Sequence, residues 1–342
     1  MSAPRVSEQL LIQHLREFRG DRVLCTSLGR AQLAAALAEQ DLRRRVVCHF
    51  LDVHLADRAR EDCHPLAANL TIVCQADLPA DEVDLVAFPF QAQGEAELTR
   101  DVMQQGHQVL RIGGRMVVTT DNPRDTWLGA EMKKLFAVVQ RQPTSQGTLY
   151  AAAKTAPLAK LKNFACELVF RDGPRLIRAV SRPGVFAHRR VDAGARAILR
   201  SMEVLSGDRV CDMGCGCGVL ALAAALRAPQ VSVHAIDANP RAVECVERGA
   251  ALNGLDSITV QLDATGSCPP EAFDLFLANP PYYSDFRIAE IFVRAALRGL
   301  RPGGRMLLVT KAPDWYSRQL PAWFAEVEIA RQRDYTIVTA RK

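Results

Sequence analysis

Four consecutive residues, Asn279-Pro280-Pro281-Tyr282, bring together an amide, two rigid turns and an aromatic ring. They follow an apolar run, Phe273 to Ala278, that reads as a buried strand, and the prolines stop it. Asn279 Oδ1 and the Pro280 carbonyl can each accept one N–H of an amino group, while Tyr282 offers a face for stacking. The set suits a flat molecule that bears an exocyclic amine. In isolation the same residues would serve as an ordinary strand-ending turn.

They are not isolated. Upstream, Asp212-Met213-Gly214-Cys215-Gly216-Cys217-Gly218 joins a strand that starts from Asp208 to a helical run, Val219 to Arg227. Glycines at 214, 216 and 218 remove every Cβ where the backbone turns and would lie against a ligand, and the helix start supplies N–H donors. Dinucleotide-binding loops are also glycine-rich, but their third glycine comes one place later. A second strand, Val231 to Asp237, ends in an acid suited to ribose hydroxyls. A third, Ile258 to Leu262, leads to Asp263-Ala264, where a carboxylate can accept from an adenine amino group. Asp212, Asp237, Asp263 and Asn279 thus stand at successive strand ends, and open α/β sheets bind ligands beyond those ends.

On these residues, the chain from roughly 180 to 342 resembles the class I S-adenosylmethionine-dependent methyltransferases, specifically those whose Asn-Pro-Pro-Tyr/Phe tetrad methylates planar amino groups. The resemblance implies a seven-stranded, mostly parallel sheet closed by an antiparallel hairpin. It also implies S-adenosylmethionine as cofactor, with Asp237 on the ribose and Asp263-Ala264 at the adenine. Asp212, Gly214, Gly216 and Gly218 would hold the methionine end, with Asn279 beside the donor. Pro183-Gly184-Val185-Phe186, Val191-Asp192-Ala193-Gly194 and Ala197-Ile198-Leu199 resemble the lead-in of the tandem-domain ribosomal RNA guanine-N2 methyltransferases, a segment that closes over cofactor and target base. The implied reaction is methyl transfer to N2 of a guanosine in ribosomal RNA, with the small subunit favoured. Asn279 and Pro280 would hold both N–H bonds, favouring a pyramidal nitrogen aimed at the methyl, and no strong base is needed. Phe186, Arg189, Arg190, Pro281, Tyr282 and Tyr283 fall on the substrate side, although the family often has Phe-His where this chain has Tyr282-Tyr283. The tetrad alone leaves adenine N6 and glutamine N5 open, and a non-enzymatic RNA-binding assembly factor is the rival outside enzymes.

An internal duplication supports the tandem reading. Gly20-Asp21-Arg22-Val23 reappears as Gly207-Asp208-Arg209-Val210, and Val83-Asp84-Leu85-Val86 parallels Phe273-Asp274-Leu275-Phe276. In the first copy Asp212 becomes Cys25, Gly214 becomes Ser27 and Gly218 becomes Ala31, with Arg30 in mid-loop; only Gly216 keeps a counterpart, Gly29. Pro89-Phe90-Gln91-Ala92 replaces the tetrad, while Asp52 lies on the strand that matches the strand of Asp237. The expected architecture is two tandem Rossmann-like domains, each a mostly parallel twisted sheet flanked by helices. Residues 1–165 form a degenerate, non-catalytic copy and 166–342 the catalytic domain.

At 342 residues, a prior of roughly 150 per domain gives two domains. Hydrophobic content of 49% and mean hydropathy of −0.02 suit ordinary α/β cores rather than disorder. No apolar run approaches the ~20 residues of a spanning helix, and Met1 to Phe18 lacks a signal-peptide core. A cytoplasmic, membrane-independent monomer is the expectation. Ten cysteines raise a metal hypothesis, above all Cys211, Cys215 and Cys217, but no Cys-x-x-Cys pair or histidine cluster completes a ligand set. Reduced thiols and no metal are expected. Residues 171–200 hold eight arginines against two aspartates, an excess larger than the whole chain's net +5. That segment is expected to meet RNA phosphates.

Overall fold

The computed structural model describes residues 3–14, 17–65, 67–281 and 286–342. The chain splits into two compact units, Met1–Phe164 and Ala165–Lys342. The first unit runs α1 (Val6–Gln13), β1 (Arg22–Thr26), α2 (Gln32–Gln40), β2 (Arg45–Phe50), α3 (Val53–Asp62) and β3 (Leu70–Cys74). It continues with β4 (Val83–Phe90), α4 (Ala96–Val109), β5 (Leu110–Thr120), α5 (Trp127–Met132), β6 (Gln140–Pro143) and β7 (Thr148–Ala153). The second unit opens with a hairpin, β8 (Cys166–Asp172) and β9 (Arg175–Ser181), followed by α6 (Ala193–Ser201) and β10 (Arg209–Met213). Next come α7 (Val219–Arg227), β11 (Ser232–Asp237), α8 (Pro240–Leu252), β12 (Ile258–Leu262) and β13 (Phe273–Ala278). It closes with α9 (Arg287–Gly299), β14 (Leu300–Thr310), α10 (Pro313–Gln319), β15 (Glu326–Gln332) and β16 (Tyr335–Arg341).

Each unit builds a seven-stranded sheet, in the orders β3-β2-β1-β4-β5-β7-β6 and β12-β11-β10-β13-β14-β16-β15. Five strands are parallel, and β7 and β16 enter antiparallel beside β5 and β14. Central parallel strands are covered on both faces, so they become apolar throughout. All six residues of β13 are buried. Alternation then splits them: Leu275 and Leu277 join one core cluster, Phe276 and Ala278 the other.

The α/β fold and the seven-stranded sheet with its closing hairpin match the expectation. β12, β13 and α7 have the expected limits. β14 starts at Leu300, because a register shift between Phe273 and Leu275 absorbs the Pro-Gly-Gly segment inside the strand. The β8–β9 hairpin was not expected. It turns at Gly173 (φ +58), and Phe170, Ile177 and Ala179 sink into the core.

The two units also share their tying contacts. Asp84 Oδ2 accepts from Arg22 N at 2.8 Å, and Asp274 Oδ2 from Arg209 N at 2.7 Å. Gly113 N donates to the Lys154 carbonyl at 2.8 Å, and Gly303 N to that of Lys342 at 2.8 Å. Both lysines reach back to a strand's first carbonyl, Leu110 at 2.5 Å and Leu300 at 2.8 Å. Among the described residues no helix is long and apolar enough to cross a membrane.

Candidate active site

Strand register brings the site together. Met213 pairs with Ile236 on one side and with Ala278 on the other, so the next residues, Gly214, Asp237 and Asn279, emerge side by side. Asp237 in turn pairs with Leu262, which places Asp263 one step further along the same edge. The four strand ends share one rim of the second unit's sheet.

The loop that follows β10 is held by that rim. Gly214 N and Cys215 N both donate to the Ile236 carbonyl, at 2.8 and 3.0 Å. Gly216 N donates to Asp237 Oδ2 at 2.8 Å, while Asp237 Oδ1 accepts from Asn239 N at 2.9 Å. All three glycines have positive φ, but their surroundings differ. A Cβ on Gly214 would lie 2.8 Å from the Phe292 ring, and one on Gly218 3.0 Å from Val246. A Cβ on Gly216 would meet nothing within 4 Å. Gly214 and Gly218 therefore also meet a packing demand, while Gly216 leaves open space above the loop.

Asp212 is 1% exposed, and its Oδ2 accepts from Ala221 N at 3.0 Å in the first turn of α7. The capping position, Gly218, has no side chain for that task. Burial lifts the Asp212 carboxyl to about 7, against the lowering effect of that hydrogen bond, and nearby Asp237 raises it further. Such a group gains from a cationic ligand. Asp263 is tied into its own turn, accepting from Thr265 N, Thr265 Oγ1 and Ser267 N, each at 2.9 Å. Ala264 follows it and is half-buried.

Asn279 is half-buried, and its Nδ2 donates to Asp192 Oδ2 at 3.0 Å. The same oxygen accepts from Ala195 N at 3.1 Å, capping α6. Asp192 had been noted only as part of the lead-in; the N-cap pattern Asp-Ala-Gly-Ala before an apolar helix was the available signal. The lead-in itself is pinned from α8. Asn239 Nδ2 donates to the Gly184 carbonyl at 2.7 Å, and the fully buried Arg241 donates through Nη1 to that of Pro183 at 2.8 Å.

Pro280 is buried and Pro281 half-buried at the rim. Tyr282 and Tyr283 lie outside the described residues. Just past them, Phe286 stacks on Trp315 with centroids 5.2 Å apart. Phe186 is 65% exposed, so it is not a core phenylalanine. Arg189 and Arg190 are exposed beside it in the same turns. The arginine-rich segment needs a correction: Arg182 is buried against Glu244, Arg178 pairs with Glu167 at 2.5 Å, and Arg175 donates to the Arg227 carbonyl. Burial removes Arg182 from the expected phosphate-binding set, whereas Arg175 and Arg178 stay exposed while making these contacts. Arg171, Arg196 and Arg200 remain exposed.

The counterpart loop in the first unit is sealed by its own chain. Ser27 Oγ accepts from Gly29 N and Ala31 N, each at 3.0 Å, and Gln32 Oε1 accepts from Arg30 N at 2.8 Å. Buried Glu8 accepts from Ser27 Oγ at 2.9 Å and Leu33 N at 3.1 Å, and burial raises its carboxyl. Register also corrects the reading of Asp52. Thr26 pairs with His49 as Met213 pairs with Ile236, so Phe50 stands where Asp237 would be. Asp52 instead caps α3 through Leu55 N, as Asn239 caps α8.

Cys211, Cys215 and Cys217 are buried thiols raised by desolvation, Cys217 to about 11. Among the described residues no group of three or more His, Cys, Asp or Glu is placed to hold a metal.

Residues 177–339 match the Methyltransferase small domain family. The ribosomal RNA small subunit methyltransferase C of Pseudomonas putida (strain F1) is 34% identical over 171 residues, 49% of this chain and 50% of that protein. The protein of that name from Hahella chejuensis is 36% identical over 141 residues, 39% of this chain and 41% of its own length. The chain spans about half the length of the curated relatives it matches. In solved structures, the T. thermophilus 16S rRNA N2 G1207 methyltransferase, in complex with AdoMet and guanosine, aligns with TM-score 0.80. That alignment covers 99% of this chain and 92% of the other at 20% identity, a likeness of fold. The tetrad and the glycine loop pointed to the methyltransferases, and residues 177–339 of this chain are similar to the Methyltransferase small domain family.

Proposed function

We propose that this protein transfers a methyl group from S-adenosylmethionine to the exocyclic N2 amine of a guanosine in small-subunit ribosomal RNA. The observation that carries the reading is the register of β10, β11 and β13, which lines up Gly214, Asp237 and Asn279 on one rim. The relatives' names and the ligands of the T. thermophilus enzyme supply the substrate class.

The residues present fit the cofactor. Gly216 leaves open space above the loop, Asp237 is oriented by Gly216 N and Asn239 N, and buried Asp212 gains from positive charge. When bound, the cofactor supplies an electrophilic methyl group on a cationic sulfur. Asn279 Oδ1 and the Pro280 carbonyl then accept the two N–H bonds of the amine, holding it in line and offsetting charge that develops on nitrogen. Tyr282 stacks on the base once it leaves its helix, and Phe186 with Arg189 and Arg190 meets the RNA from the lead-in. The first unit takes no cofactor, because Ser27, Gln32 and Glu8 occupy its loop's N–H donors. It serves as a substrate-docking or supporting domain.

The test is label transfer from methyl-tritiated cofactor to isolated small-subunit RNA and to assembled subunits, followed by nucleoside analysis. Label in N2-methylguanosine is the expected outcome. Label in N6-methyladenosine or in protein would replace the reading by one of its rivals.

A further inference from the structure

We propose that Asp192 is a positioning residue that sets which end of the Asn279 amide faces the substrate. Its Oδ2 accepts from two donors at once, Ala195 N at 3.1 Å and Asn279 Nδ2 at 3.0 Å. A carboxylate cannot donate, so the reverse amide orientation would set two acceptors against each other at this distance. The contact therefore turns Nδ2 inward and leaves Oδ1 as the end that receives an N–H.

The surroundings enforce that orientation. A Cβ at Gly194 would fall 2.8 Å from Asp192 Oδ2 and 3.0 Å from Asn279 Oδ1, so glycine there leaves room for the pair. Asp192 and Asn279 are 87 residues apart in sequence. The lead-in that carries Asp192 is tied to α8 through Gly184 and Pro183. Without this acceptor the amide is free to present N–H donors to an amine, which repels instead of orienting it. A donated hydrogen bond to a carboxylate also makes Oδ1 a stronger acceptor.

The kinetic part of this inference rests on the methyl-transfer reading, so its test has a second readout that needs no substrate. In the full-length protein, Asp192→Ser keeps an oxygen to cap α6 but is too short to reach Asn279. Asp192→Asn keeps a carbonyl oxygen in the Oδ2 position for both donors. Side-chain amide exchange of Asn279 is followed by NMR in protein labelled with 15N-asparagine, with the resonance assigned from Asn279→Asp. Asp192→Ser is expected to lose protection about tenfold and to lower kcat about tenfold or more at unchanged KM for the cofactor. Asp192→Asn is expected to stay within about threefold of the unmodified protein on both readouts. Unaltered exchange and turnover in Asp192→Ser, or equal losses in both variants, would overturn the proposal. If exchange responds as expected but the unmodified protein methylates no RNA, the functional reading fails and the positioning role stands.

Discussion

Asn279 and Asp212 sit one strand apart and take opposite parts. In the proposed reaction Asn279 holds the amine, so Asn279→Ala should lower kcat by about a hundredfold or more. Cofactor affinity should stay within about threefold, and comparable loss of both in paired kinetics and calorimetry would make Asn279 structural. The proposed reaction puts Asp212 on the cofactor's side. Its folded value, about 7, lies above the ordinary 3.8, so the stability it contributes is complete below about 4 and is lost as pH rises through 7. Cationic groups on the ligand favour the carboxylate, so binding should release a proton below pH 7. Affinity measured by calorimetry should rise from pH 5 to 7 and then level off, and Asp212→Asn should flatten that profile. The rim positions of both residues were legible in the sequence because each stands at the end of an apolar strand. Asp192 was not, because its partner lies 87 residues away and only the folded sheet brings them together.

The loop between β10 and α7 shows how an element distributes its demands. Gly214→Ala would push a methyl to 2.8 Å from the Phe292 ring at φ +72, and overpacking of that kind destabilises by about 1–3 kcal/mol. Gly216→Ala has open space, so its cost is backbone strain at φ +53, about 1 kcal/mol. Denaturant titration should therefore rank Gly214→Ala as the less stable variant. Cofactor titration should show the larger affinity loss in Gly216→Ala, since its methyl enters the ligand's space. Reversed rankings would mean that Gly216 is the packing glycine. Strand limits such as Phe273–Ala278 were readable because apolar runs end at proline or acid. The β8–β9 hairpin was not: Arg171 and Arg178 share its exposed face with Val169 and Leu176, and this mixture masked the alternation of Phe170, Ile177 and Ala179 beneath. Arg182 also counted toward the expected basic surface, yet it pairs with Glu244, a tertiary neighbour that sequence proximity does not show.

Across the whole molecule, one fold is written twice, and the second copy leaves open space at Gly216 where the first has Gln32 against Gly29. The duplication was visible in the repeated Gly-Asp-Arg-Val segments and in the paired Asp84 and Asp274, the residues that tie the strands together in both copies. The manner in which the first loop is closed was not visible, since Glu8 reaches it from α1 and Phe50 replaces the strand-end acid through register. This closure predicts a stoichiometry. Calorimetry on the full-length chain should find one S-adenosylmethionine site, and Gly216→Trp, which fills the open floor of the second unit, should abolish binding altogether. Removing the seal by combining Glu8→Ala with Ser27→Gly should still leave one site. Freed N–H donors do not replace a ribose acceptor, and buried Phe50 stands where that acceptor would have to be. Two sites in the unmodified chain, or binding that survives Gly216→Trp, would return the first unit to the list of cofactor-binding domains.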